Sequence, residues 1–311
     1  MSRAYDALVL GDYCLDLVFT GLPKMPELGV EVVASGFDYL PGGGGYTCAV
    51  TLSRLGLRVG WAVDFGNDPM SAFVRNHAVQ EGLDASLFAE HARPLRRITA
   101  AASFPADRAF IAFYDPDPPI PAAVSALATC TPRVVVVPGV YHGPLILPAH
   151  VMLRLRGVKL AMDGNSTEDT TLSVPSVRQA IRAADLFLPN ALEARRLTGE
   201  DLLERAMARL LELCPLVVIK DGARGAYACP RGGSTVHSPA IEIQPLDTTG
   251  SGDAFDAGFL TAWLEGKPLT TCLQWGNIVG GLSTLGHGGT SVRTTRQDVE
   301  SRLARSPRTN A

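Results

Sequence analysis

Lysine is scarce in this chain: of 28 basic residues only Lys24, Lys159, Lys220 and Lys267 are lysines. Arginine supplies the rest, a bias of base composition that carries little about function. No excess of positive charge compensates, since the formal net charge is −3 and the pI is near 6.1. That balance gives no reason to expect a nucleic acid or an anionic membrane surface as partner. Long apolar runs are also missing, and none approaches the roughly 20 residues that span a bilayer. The opening residues Met1–Asp6 lack the charged and apolar regions of a signal peptide. Cysteine occurs six times, at 14, 48, 130, 214, 229 and 272, without C-x-x-C spacing or a matching histidine pair. A zinc site and a disulfide framework are therefore not expected, and a reduced, cytoplasmic protein is.

What is present is the profile of a globular chain with a large core: 311 residues, 46% hydrophobic and 19% charged. Short runs rich in Val, Leu and Ile alternate with helix-like stretches. The clearest strands are 7–10, 59–63, 134–137, 158–162, 186–188 and 216–219. Several are continuous rather than alternating, as strands buried on both faces of a parallel sheet should be. Helices are predicted over 47–55, 70–81, 145–156, 177–184, 191–198, 202–214 and 254–264. Such alternation argues for an α/β sandwich around a mostly parallel sheet. Two stretches, 30–40 and 98–113, read as strands without crossover helices, the second broken by a turn at 105–108. They could form a small extra sheet, from which the proline-rich 115–121 returns.

The most informative segment is Asp247-Thr248-Thr249-Gly250-Ser251-Gly252-Asp253-Ala254-Phe255. A glycine-rich turn that opens a helix exposes backbone N–H groups at the positive end of the dipole, so it can hold phosphate oxygens. Asp253, in the first turn, could take the proton of an attacking hydroxyl. It could equally be an N-capping turn with an acid favoured by the dipole. Further candidates follow strands. Asp16 stands after the first apolar strand, and Gly42, Gly43 and Thr47 lie in the run Pro41-Gly42-Gly43-Gly44-Gly45-Tyr46-Thr47. Asn190 and Glu193 have i, i+3 spacing at a strand-to-helix turn. Lys220 ends an apolar strand before Asp221-Gly222-Ala223-Arg224-Gly225, and Asn277 precedes Gly280-Gly281.

Taken in order, these segments resemble the ribokinase-like, or PfkB, carbohydrate kinases, whose core signature is D-T-x-G-x-G-D. The resemblance runs from Gly11 to about Gly289. It implies a three-layer α/β sandwich as one domain over 1–305, with a small β lid from about 16–41 and 96–114 and a frayed tail at 306–311. It implies ATP-dependent transfer of phosphate to a hydroxyl of a sugar-like molecule. Asp253 would be the general base, with an anion hole from the amides of Gly250, Ser251, Gly252 and Asp253. By the same resemblance Asp16, Gly42, Gly43 and Thr47 would contact substrate, and Lys220, Gly222, Gly225 and Asn277 the nucleotide. Asn190 and Glu193 would organise the waters of Mg²⁺, while Asp247 and the Thr249 carbonyl match a monovalent-cation (K⁺) position of some members. A homodimer through the lid is expected. The chain departs from ribokinase-type members at Cys14 and Thr47, where asparagines are usual, and this weakens ribose itself as substrate. Two rivals remain open: a nucleoside kinase, with Phe104, Phe110, Phe113 or Tyr114 stacking on a base, and a non-catalytic sugar-binding regulator.

Overall fold

The computed structural model describes residues 4–104 and 108–305. The chain runs through β1 (Ala7–Leu10), β2 (Cys14–Thr20), β3 (Gly36–Gly42), α1 (Gly44–Arg54), β4 (Val59–Phe65), α2 (Pro69–Gln80) and β5 (Phe88–Glu90). It continues with β6 (Arg97–Ser103), β7 (Arg108–Tyr114), α3 (Ala122–Thr129), β8 (Val134–Val137), α4 (Ile146–Leu155), β9 (Lys159–Asp163) and α5 (Pro175–Ala183). Then come β10 (Leu186–Leu188), α6 (Ala191–Thr198), α7 (Leu203–Leu211) and β11 (Leu216–Lys220). The last elements are β12 (Ala226–Pro230), β13 (Val236–Ser238), α8 (Ser251–Leu264), α9 (Leu269–Ser283) and α10 (Arg296–Arg305). All six strands and all seven helices read from the sequence are present, with ends shifted by up to three residues.

Nine strands form the main sheet in the order β13-β12-β11-β10-β9-β8-β1-β4-β5. From β11 to β5 all neighbours are parallel; β12 runs against them, and β13, antiparallel to β12, returns to their direction. The valine run of β8 shows why these strands are continuously apolar. Val134 and Val136 enter the core beneath α1, α8 and α9, while Val135 enters the one beneath α3 to α7. Each face needs its own apolar set, so no polar alternation survives. Trp61 anchors the first core, its indole N–H donating to the Gly11 carbonyl at 3.2 Å and its ring meeting Tyr46, Phe65 and Phe88 edge-on. All six cysteines are buried and free.

A separate sheet has the order β3-β2-β6-β7. Its antiparallel pair β2–β3 runs from Cys14↔Gly42 to Thr20↔Gly36. Strand pairing thus ends at Gly36, and residues 30–35, expected as strand, have no partner in that ladder. Val30 and Val33 lie exposed. Asp16, expected to follow a strand of the main sheet, lies inside β2. The expected tail and residues 105–107 of the expected turn lie outside the described residues.

Gly43 caps α1 at φ 91°, a left-handed conformation that penalises any side chain. A Cβ there would also stand 2.7 Å from the backbone of Tyr13 and Cys14. Gly43→Ala is therefore expected to cost at least about 1–3 kcal/mol, read as a lowered urea midpoint. An unchanged midpoint would show that the β2–α1 approach is not fixed by this residue.

Candidate active site

The functional candidates gather where the parallel strands end. At the start of α8 the N-cap Gly250 is left-handed, φ 70°. Ser251 closes the turn by donating its hydroxyl to the Thr248 carbonyl at 2.9 Å. Asp247 ties two loops together: one carboxylate oxygen accepts from the Thr249 amide and hydroxyl at 2.9 and 2.7 Å, the other from the Gly288 amide at 2.8 Å. The first amides of α8, including Gly252 and Asp253, have no partner within the helix and point along its axis. The turn is thus preorganised for an anion.

Asp253 stands at the mouth of this turn. Its carboxylate oxygen lies 2.8 Å from the point where a Gly44 Cβ would be, so the glycine run brings α1 directly against it. Burial lifts its pKa to about 7, aided by the negative charge of Asp163, opposed by Lys220, and raised further by Glu193 and Asp12. Such a carboxyl is poised near neutrality, where a general base works best. Below it lies a buried cluster that sequence reasoning missed. The Lys220 ammonium binds Asp163 on β9 and Asp256 on α8, the latter at 3.0 Å. Asp163 is held below the usual carboxylate range despite its burial, by Lys220 and by a bond from Asp256. Burial pushes Asp256 well up against the pull of Lys220. Within the cluster the shifts run in opposite senses, Asp163 toward the ion paired with Lys220 and Asp256 toward its protonated form. The signal for it was an aspartate one helical turn after Asp253 and another ending an apolar strand.

On one side of the turn lies a pocket floor made by β2 and α1. Asp16 is buried and packs against Gly42. Loss of water around it lifts its pKa to about 6; a bond from Cys14 opposes this, and Asp247 adds to it. The Cys14 thiol contacts the Thr99 hydroxyl at 3.0 Å, and burial keeps it protonated. Thr47 is buried against Gly250 and Gly289. Substrate candidates Asp16, Gly42, Gly43 and Thr47 therefore converge on the anion turn.

On the other side stand the candidates assigned to the nucleotide. Asn190 and Glu193 form a reciprocal cap on α6: the Asn190 side chain accepts from the Glu193 amide at 2.9 Å, and Glu193 accepts from the Asn190 amide at 2.7 Å. Lys220 is locked between two carboxylates, although its Nζ is only 3.5 Å from the point where a Gly252 Cβ would be. It adds positive potential beneath the turn. Gly222 and Gly225 are left-handed and bracket a tight loop after β11, closed by Asp221 N–H to the Gly225 carbonyl at 2.7 Å. Asn277 spends its amide hydrogens on the carbonyls of Ser238 and Pro239, so it fastens β13 to α9. Among the described residues no group of three or more His, Cys, Asp or Glu side chains could hold a metal. Also among them, no helix is long and apolar enough to cross a membrane.

Comparison with known proteins places this arrangement. The pfkB family carbohydrate kinase profile matches residues 152–296. The chain is 30% identical to the acarbose 7(IV)-phosphotransferase of Actinoplanes sp., over 90% of this chain and 92% of that protein. It is 26% identical to the ribokinase of Bacillus subtilis, over 95% and 98% of the two chains. The solved structure of Arabidopsis thaliana ribokinase complexed with ribose and ATP shares its fold, with a TM-score of 0.80 at 20% identity over 97% and 99%. The chain belongs to the pfkB family of carbohydrate kinases.

Proposed function

We propose that this kinase transfers the γ-phosphoryl group of ATP to a hydroxyl of a sugar derivative, with Asp253 as general base. The observation that carries the reading is the placement of Asp253, with its raised pKa, at the head of the anion turn and against the glycine floor. The substrate hydroxyl would lose its proton to Asp253 as its oxygen bonds the γ-phosphorus. The bond from that phosphorus to the bridging oxygen would break, and ADP would leave. The amides of Gly250, Ser251, Gly252 and Asp253, with Lys220 beneath them, would offset charge on the transferring oxygens. ATP would lie across the turns at Asn190, Gly222, Gly225 and Gly250, with Asn277 holding the wall behind it.

The chemistry around α6 fits a hydrated Mg²⁺. Asp163, Glu193, Asp253 and Asp12 outnumber Lys220; burial lifts Asp253 and Glu193, and the charge of Asp163 adds to both. Among the described residues no cage of carboxylates encloses a single point, and an ion that keeps its waters and arrives on phosphates needs none. When bound, it would supply charge neutralisation on the phosphate oxygens. Asp247 and the Thr249 carbonyl would border a K⁺ whose effect reaches the anion turn. The small sheet, read as a lid over the domain, would exclude water from the transfer. Its exposed Phe37, Tyr39, Ile111 and Phe113 offer a face for a second copy.

The test is ADP release by purified protein with ATP, Mg²⁺ and K⁺ over sugars, sugar acids, sugar phosphates and nucleosides. Turnover on a sugar class supports the reading; ligand binding without turnover would favour a non-catalytic regulator. Asp16 gives a sharper expectation. As a carboxylate it accepts two hydroxyl hydrogens at once, and a hydrogen bond to a charged group contributes about 1.5–3 kcal/mol. Asp16→Asn should raise KM by about 10- to 100-fold with a smaller change in kcat. In the wild type, KM should climb as pH falls below about 6, where Asp16 takes up its proton. A pH-independent KM would remove Asp16 from the substrate site.

A further inference from the structure

On the face of the main sheet opposite α8, a cavity of about 380 Å³ opens between the strands and helices α3 and α4. Its walls are aliphatic, with Leu10, Val124, Leu127, Val137, Leu145 and Leu153 among them. Its mouth is polar. There Arg97, at the start of β6, bridges Asp12 at 3.1 Å and Asp117 on the proline-rich return; Asp64 and Asn165 also line the cavity. Val124, Tyr141 and Leu145 leave more than a third of their surface exposed at this cavity. A core that merely closed on itself would cover them.

The cavity adjoins the reacting centre. A Cβ on Gly44 would lie 2.8 Å from the Asp253 carboxylate and 2.9 Å from Pro138 Cβ. Pro138 is itself part of the cavity wall, and so are Gly11 and Asp12. Pro138 thus lines the cavity on one side and approaches the Asp253 carboxylate across Gly44 on the other. Asp12 at that mouth already acts electrostatically on Asp253.

We infer that the substrate is not a bare monosaccharide but a sugar bearing an apolar group, the sugar at Asp16 and Asp253 and the group in this cavity. The inference rests on the kinase reading above. An engineered apolar cavity of about 150 Å³ takes up benzene, so this one has room for a phenyl ring or a short alkyl chain. Its walls offer a mostly aliphatic surface with one aromatic, Tyr141, and few polar side chains, Asp12, Asp64, Arg97, Asp117 and Asn165. That is the lining of a hydrophobic subsite, not of a site that reads the edges of a nucleobase. The entrance bridge through Arg97 would fix the sugar end while the apolar end sheds water.

Calorimetric titration and ADP release with hexyl and phenyl glycosides of ribose, fructose and glucose, in both anomers, test this against the parent sugars and against adenosine and cytidine. Each buried methylene should tighten binding about fourfold, so a hexyl or phenyl glycoside that buries the equivalent of about three or four methylenes is expected to bind on the order of 100-fold tighter than its parent. Val124→Trp, which fills the cavity, should cancel that gain; Leu145→Trp at the rim serves if the first variant does not fold. Sugars that turn over while no apolar glycoside binds better would overturn the cavity assignment and leave the kinase reading intact. An apolar gain that survives both folded tryptophan variants would overturn it as well. Apolar glycosides that bind through the cavity but are never phosphorylated would keep the subsite and sink the kinase reading. A gain confined to the nucleosides would replace the apolar group by a base.

Discussion

Asp253→Asn is expected to lower kcat by about 10²–10⁴-fold, the usual contribution of a positioned general base, and at the same time to make the protein more stable. The two effects have one cause. Burial and the neighbouring carboxylates lift Asp253 from its usual value near 3.8 to about 7, so the folded state binds a proton there more tightly than the unfolded chain does. Its contribution to folding is fully present below the unfolded value and is lost as pH rises through about 7. Asparagine, neutral at every pH, escapes that loss. A full shift to 7 corresponds to about 4 kcal/mol, and partial solvent access reduces this to about a quarter to a half, or about 2–5 °C in Tm. The melting advantage of the variant should be complete above pH 7 and vanish near pH 4. A variant inactive yet no more stable at pH 8 would mean that Asp253 is not strained by its surroundings, and that its role as a tuned base is wrong.

The same charges explain how far the sequence could be read. The anion turn was legible because its chemistry is local: the glycines, the helix start and Asp253 are consecutive, and each constrains the next. The parallel strands were legible because burial on both faces leaves an unbroken apolar run, as in Val134–Val137. Cross-chain relations were not. The partners of Lys220, Asp163 and Asp256, sit 57 and 36 residues away, and only the strand order brings them together. Lys220 is expected at the phosphates from its place at the end of β11; that its ammonium sits between two carboxylates under the turn is not visible in that place. Asn190 and Glu193 carry the i, i+3 spacing of a helix start, and the structure shows them capping α6; spacing alone does not distinguish that from the proposed role toward Mg²⁺. Residues 30–35 misled because Val30, Val32 and Val33 have strand chemistry, while strand pairing depends on where β2 ends, at Thr20. The cavity behind Pro138 left no mark at all, since a leucine that lines a void is spelled like one that fills a core.

Lys220→Met should be the most destabilising of the polar substitutions at the site, and Asp256→Asn, only one bond away, among the mildest. Methionine removes the charge that permits Asp163 to remain ionised inside the core. Breaking a buried pair from one side costs about 3–5 kcal/mol, because the remaining charge has neither water nor a partner. Asp256 differs because burial pushes it toward its protonated form. An asparagine amide reproduces a neutral donor toward Asp163, so a change within about 1 kcal/mol is expected. The contrast has a pH signature. In Lys220→Met the destabilisation should shrink as pH falls and Asp163 takes up the proton it can no longer avoid. The wild-type pair, with Asp163 depressed and Lys220 raised, should hold from about pH 5 to 9. Activity should follow a different order from stability, since the Lys220 charge lies beneath Gly252 and acts on the anion turn. A fall in kcat of about tenfold or more is expected for Lys220→Met, with little for Asp256→Asn. Urea midpoints at pH 5 and 8 decide the matter. Equal losses in the two variants would mean that Asp256 is ionised, that the cluster carries a second negative charge, and that the field lifting Asp253 comes from Asp256 as much as from Asp163.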